Sequence, residues 1–253
     1  MRKLPLLIAI ITIALSSCNK LERNEKKYLE GMLDTNYEKS SQAFDDFCHW
    51  LEKDRSTMTY DFKNMREQMG LKAVTSADGR LRCYSWETTR SDTLHIYANI
   101  TQWTAGENFV AYTGPINRLL AGREANLKQV QSMAHSIDTI FTAKMGEMDI
   151  YLIVQSYINR RDHRRAFVSA STISGIRLSL LPFFFDGTEI AGSSEFIDDG
   201  TMPIDKLFKW DEKAGKLYVY QTDDNYHVIP GKYIEYQLGN ERFTRLTPIS
   251  PND

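Results

Sequence analysis

From residue 80 onward the chain is a succession of short runs rich in Tyr, Ile, Val, Phe, Thr and Trp, cut at intervals by Gly, Asn, Asp and Pro. Runs of this length and composition read as strands. They cover 80–88, 94–104, 108–113, 136–143, 148–158, 165–173, 176–185, 206–211, 216–221 and, in two pieces, 232–246. Between 116 and 133 the pattern loosens into a short helix or a long loop. Turn chemistry supports several pairings: Asp78-Gly79 opens the first run, Lys213-Ala214-Gly215 joins the pair around 210 and 217, and Gly239-Asn240 precedes Phe243. Gly79-Arg80-Leu81-Arg82-Cys83-Tyr84 is echoed by Gly215-Lys216-Leu217-Tyr218-Val219-Tyr220, but no fixed period links them, which argues against a propeller. The expected fold is mainly β, an antiparallel sandwich or barrel-like domain preceded by a short helical segment.

That segment is legible in its spacing. Phe44, Phe47, Cys48 and Leu51 recur at i, i+3, i+4 and i+7, predicting a helix over about 41–53 capped by Ser40 or Ser41. A second helix is expected over 61–69, with Asp61 as its cap, Phe62, Met65 and Met69 along one side, and Gly70 at its end. Residues 18–36, with Lys20, Glu22, Arg23, Glu25, Lys26 and Lys27, read as a polar tether with some helical character. Residues 37–253 then form one domain.

The first 17 residues have a different character. Arg2 and Lys3 precede an uncharged apolar run, Leu4 to Leu15, and small residues lead to Cys18. This is signal-peptide anatomy, and the run falls short of the roughly 20 residues needed to cross a bilayer. Leu15-Ser16-Ser17-Cys18 resembles the lipobox of bacterial lipoproteins, which implies cleavage before Cys18 and acylation of its thiol and new amino group. Anchoring through several acyl chains is stable, at about 0.8 kcal/mol per buried methylene. The implied location is the cell envelope, on the outer membrane, because Asn19 is not the aspartate that retains lipoproteins at the inner membrane.

Removing residues 1–17 from the 253 leaves 236 and moves the formal net charge from −2 to −4. A mildly acidic chain without a basic stripe does not suit nucleic acid. Cys48 and Cys83 remain, in a compartment where a disulfide could join them; the alternative is two buried thiols. No Cys/His cluster has zinc spacing, and no pattern calls for a metal or another cofactor.

The most distinctive sequence is Ala77-Asp78-Gly79-Arg80-Leu81-Arg82-Cys83-Tyr84-Ser85-Trp86-Glu87-Thr88, followed by Leu94-His95-Ile96-Tyr97-Ala98-Asn99-Ile100-Thr101-Gln102-Trp103. With Gly231-Lys232-Tyr233-Ile234-Glu235-Tyr236 and Phe243, it resembles a group of exported Bacteroidota lipoproteins of unknown function. Arg90-Ser91-Asp92 stand where that group favours glycines, and Leu94 where it has Met. The resemblance implies export but no activity.

Period-two alternation puts Arg82, Tyr84 and Trp86 on one side of their strand, and His95, Tyr97, Asn99, Thr101 and Trp103 on one side of the next. If these sides coincide, they form an aromatic and polar face suited to stacking sugar rings; the alternative is that the aromatics fill the core. Arg160, Arg161, Arg164 and Arg165, around Asp162 and His163, form a basic tip able to grip phosphate or sulfate, or simply a solvated turn. Glu87, Asp92 and His95 lie close together, but no nucleophile motif accompanies them, so no catalytic residue is assigned. Asp198-Asp199-Gly200 lacks the spaced acids of a calcium loop.

The favoured expectation is a membrane-anchored, non-enzymatic binding or interaction lipoprotein whose candidate ligand is an envelope or dietary glycan. A structural envelope component and a glycan hydrolase are the alternatives.

Overall fold

Three antiparallel sheets realise the strand-like runs. The computed structural model describes residues 20–90, 95–106, 108–113, 135–160, 163–192, 195–198 and 203–247. The first sheet has the order β1 (Lys72–Thr75), β2 (Leu81–Arg90), β3 (His95–Ala105), β4 (Asn108–Thr113). In the second, β5 (Ser136–Met145), β6 (Met148–Arg160) and β7 (His163–Ser174) pair in sequence, and the free edge of β7 is taken in turn by β8 (Arg177–Leu180), β9 (Ile190–Ala191) and β10 (Glu195–Ile197). The third sheet runs β11 (Phe208–Asp211), β12 (Lys216–Thr222), β13 (Val228–Leu238), β14 (Phe243–Arg245). None of the sheets closes into a barrel. The expected run 176–185 stops as a strand at Leu180, because left-handed residues Phe183 and Asp186 turn the chain. β1, β9 and β10 are too short to have shown a period.

Alternation along these strands stacks the molecule into layers. Leu81, Cys83 and Trp103 of the first sheet meet Ile137, Ile140, Tyr151 and Ile153 of the second. The other face of the second sheet, with Ile150, Leu152, Val154, Ala166 and Val168, meets Phe208, Leu217, Val219 and Ile234 of the third. Close approach fixes one glycine here: a Cβ on Gly192 would come 2.4 Å from a Val219 methyl, and its φ is +74°.

Helices cover the outer face of the first sheet. Residues 20–32 form α1, α2 is Tyr37–Lys53 and α3 is Lys63–Met69, with a 3₁₀ turn at Arg55–Met58. Asn36, rather than Ser40 or Ser41, caps α2 by accepting the Lys39 amide at 3.2 Å. The segment expected to be a polar tether with some helical character is, over 20–32, the packed helix α1. Leu21, Glu25 and Leu29, one turn apart, all turn inward, so the charged residues read as solvated linker are the outer face of a packed helix.

Glu25 makes the decisive contacts of α1. Its fully buried carboxylate accepts from Tyr60 Oη at 2.7 Å, Asn64 Nδ2 at 2.8 Å and the Met65 amide at 2.9 Å. It therefore caps α3 from another helix. Asp61, the expected cap, pairs instead with Arg66, and the N-cap position falls to Phe62 at φ +53° with no side-chain bond. That left-handed conformation is unfavourable for a bulky residue. It is held because the Phe62 ring lies edge-on to Phe47, Trp50, Tyr60 and Tyr84, at centroid distances of 4.9–5.8 Å.

Arg82, Tyr84 and Gln102 bind the sheet to these helices from below. Arg82 donates to the Thr57 and Tyr60 carbonyls at 2.8 and 2.7 Å. Tyr84 donates to Gln102 Oε1 at 2.7 Å, and the Gln102 amide donates to the Leu51 carbonyl and to Thr57 Oγ1.

The cysteines are not bridged. Cys83 alternates with Tyr84 and so faces the second sheet, whereas Cys48 packs among the helices on the opposite face. The first sheet lies between them. Burial pushes both thiols up to about 12.

Two outcomes follow. Glu25→Ala strands three donors and should lower the stability measured by urea unfolding by on the order of 3 kcal/mol; Glu25→Gln, which keeps one acceptor, should lose less. Titration with a thiol reagent near pH 8 should leave Cys48 and Cys83 almost unreacted in the folded protein, and find both free without reductant once it is unfolded.

Candidate functional site

The aromatic face anticipated from the sequence does not form, and strand register is the reason. β2 and β3 pair Leu81 with Trp103, Arg82 with Gln102, Tyr84 with Ile100 and Ser85 with Asn99. Even-numbered residues therefore share one face and odd-numbered residues the other, so Arg82, Tyr84 and Trp86 lie opposite Tyr97, Asn99 and Trp103. The first set is buried under the helices. In the second, Trp103 is buried and donates to the Ile176 carbonyl at 3.3 Å, and Asn99 donates to the His135 carbonyl. A bulge between Glu87 and Thr89 shifts the register only near the loop, where His95 pairs with Arg90; the His95 side chain and Asp92 lie outside the described residues.

The basic tip is also divided. Arg164 and Arg165 are neighbours on β7 and point to opposite faces. Arg164 pairs with Asp198 at 3.1 Å and Arg165 donates to Tyr157 Oη at 3.2 Å. The backbone of Arg160 pairs with His163, while its side chain and all of Arg161 lie outside the described residues.

What the structure assembles is a groove along β1. Two adjoining hollows of about 630 and 540 Å³ share Gly70, Lys72 and Arg164 as lining. The larger continues past Arg66, Asp138 and Ile204; the smaller runs past Trp86, Glu87, Tyr97 and Ser136. Thus Trp86, Tyr97 and Arg164, three of the residues singled out from the sequence, do converge here, from different faces and for a different reason than alternation suggested.

Lys72 and Asp138 organise the groove. β5 shifts register between Ile137 and Thr139, and this bulge aims Asp138 inward, leaving its side chain 5% exposed. Its carboxylate takes Lys72 Nζ at 2.9 Å, Ser156 Oγ at 2.6 Å and Ser136 Oγ at 3.3 Å. Lys72 Nζ also donates to Ser136 Oγ at 2.8 Å. A lysine beside a serine invites comparison with a nucleophile and its base. Here Nζ is a donor bridging a hydroxyl and a carboxylate, which is the arrangement of a structural ion pair. None of Lys72, Ser136, Asp138 or Ser156 stood out in the sequence, because more than 60 residues separate Lys72 from its partners.

Among the described residues, no three His, Cys, Asp or Glu side chains converge as metal ligands. His135 stands at the start of β5, buried, with Tyr157 tilted at 5.0 Å and Phe167 edge-on at 4.9 Å. Burial lowers its pKa from 6.5 to about 4, against a weaker upward pull from a Gln155 hydrogen bond.

The unfolded chain therefore binds a proton at His135 that the folded chain refuses between about pH 6.5 and 4. The stability that neutral His135 contributes is complete above that window and falls by about 3 kcal/mol across it as pH drops. Thermal unfolding followed near pH 7 and pH 5 should show about 2 kcal/mol of this loss, and His135→Leu should flatten it. Compared with models of protein families, with curated proteins and with solved structures, the chain finds no match in any of the three.

Proposed function

We propose that this chain is a lipid-anchored binding module of the cell envelope, without catalytic activity, and that it holds a neutral glycan segment in the groove along β1. The observation that carries this reading is the state of the groove's cations. Arg66 is paired with Asp61, Lys72 with Asp138 and Arg164 with Asp198. An anion would have to compete with these carboxylates. A sugar hydroxyl, both donor and acceptor, bonds to either member of an ion pair without breaking it.

Further support comes from size and lining. Hollows of 540 and 630 Å³ suit a few sugar units, and the half-buried Tyr97 and the edge of Trp86 offer apolar surface at one end. The lipobox at Cys18 and the resemblance to exported Bacteroidota lipoproteins support the envelope location. No described helix is long and apolar enough to cross a membrane.

The test is a glycan array probed with the full lipidated chain in detergent, at low and at physiological salt. Neutral oligosaccharides should be retained nearly independently of salt. Tyr97→Ala should weaken retention about tenfold, which is about 1.4 kcal/mol. Retention confined to sulfated or phosphorylated glycans and lost with salt would replace the neutral ligand with an anionic one. No retention at all would remove the glycan reading.

A further inference from the structure

β1 is an edge strand, and its open edge forms a wall of the groove. It pairs with β2 alone, and among the described residues no backbone group bonds to its other side. Side chains alternate between the two faces of a strand, yet Gly70, Leu71, Lys72, Ala73 and Val74 border the larger hollow in unbroken succession. Neighbours can line one space in this way only if the backbone edge itself faces it. In an antiparallel edge strand every second residue turns its N–H and C=O outward, so β1 offers the groove main-chain donors and acceptors repeated about every 7 Å.

Lys72 adds a second feature. An ammonium has three donors, and Ser136 Oγ and Asp138 Oδ1 take one each, at 2.8 and 2.9 Å. The third is left to the groove, since the Lys72 side chain is 52% exposed and borders both hollows. Asp138 is nearly buried and already accepts from Lys72, Ser136 and Ser156. At the β5 wall the network therefore presents a donor whose charge is balanced, which calls for a neutral acceptor. Val74, Pro203 and Ile204 make part of the larger hollow apolar.

A lone hydroxyl answers these features one at a time. A trans secondary amide carries its N–H and C=O on opposite sides, so it can donate to a β1 carbonyl and accept from Lys72 together. An acetamido group adds a methyl for the apolar lining. We propose that the groove selects glycans bearing acetamido groups, recognised by the open edge of β1 and the third donor of Lys72. This rests on the reading of the groove as a neutral-glycan site. An extended peptide carries the same amides, but β1 has four residues and so only two that face outward, a short ladder for a strand to add to.

The full lipidated chain in detergent would be titrated with chitotetraose and cellotetraose, which share their linkage and differ in carrying an acetamido group or a hydroxyl on each ring. It would also be probed on neutral array glycans sorted by acetamido content. Chitotetraose should bind about tenfold more tightly, the worth of one or two hydrogen bonds. Lys72→Gln keeps two donors for Ser136 and Asp138 but has no third, and should cut that preference to about two- or threefold; should this variant not fold, the ligand comparison on the unaltered chain still decides. Neutral glycans retained regardless of acetamido content would overturn the acetamido selection alone. N-acetyl-trialanine amide binding as tightly as chitotetraose would overturn it in favour of an extended peptide. No retention of any neutral glycan would remove the selection and the glycan reading together.

Discussion

The helical layer is held to the first sheet by buried polar groups whose bonding is shared across four chain segments. Arg82, Tyr84 and Gln102 reach upward from β2 and β3, Glu25 reaches inward from α1, and all of them converge on residues 51–65. Tyr60 connects the two sides, since its carbonyl receives Arg82 and its hydroxyl donates to Glu25. The buried Arg82 and the buried Glu25 thus stand on either side of one short segment and bond only to backbone or neutral groups, with the Arg82 Nε left without a partner. The segment could not be packed by apolar contact alone, because it carries a left-handed Phe62 and a helix start with no cap of its own. Its backbone groups must find partners, and the sheet and α1 supply them.

The same layer explains the fate of the aromatic residues. Tyr84 stands edge-on to Phe47 and Phe62, and Trp86 lies tilted against Phe44, so both help close the helices over the sheet. Their polar neighbours on the strand hold backbone that would otherwise be unpaired, so they are committed to the fold. Cys83 and Trp103, on the other face, are equally committed between two sheets. The groove arises where this packing ends, at the edge strand β1, between α3 and the second sheet. There ion pairs line open space, and β1 lends Lys72 to an acid on β5.

The sequence made much of the fold legible. Strand runs such as 108–113 and 148–158 were bounded by turn residues and appear with ends shifted by no more than two residues. Gly70 ends α3 in the left-handed conformation expected of it. The tether was misread for a definite reason: in α1 only Leu21, Glu25 and Leu29 are buried, with Tyr28 and Met32 partly so, and one of the buried three is Glu25, a residue type that usually marks solvent. The site was far less legible. Each strand's own alternation was right, but whether two strands present a common face depends on whether their paired numbers sum to an even or an odd value, which the residues between the strands do not reveal.

The sequence by itself determined the longer strands, the helices α2 and α3, the glycine that ends α3, and an N-terminal cysteine motif, because these are local matters of periodicity, turn chemistry and spacing. Tertiary structure alone decided that Cys83 and Cys48 face apart, that Glu25 serves α3, and that Lys72 meets Asp138 across more than 60 residues. Those outcomes follow from strand register, a bulge and the stacking of layers. Each is set by which faces can be buried together, and no single stretch of chain contains that information.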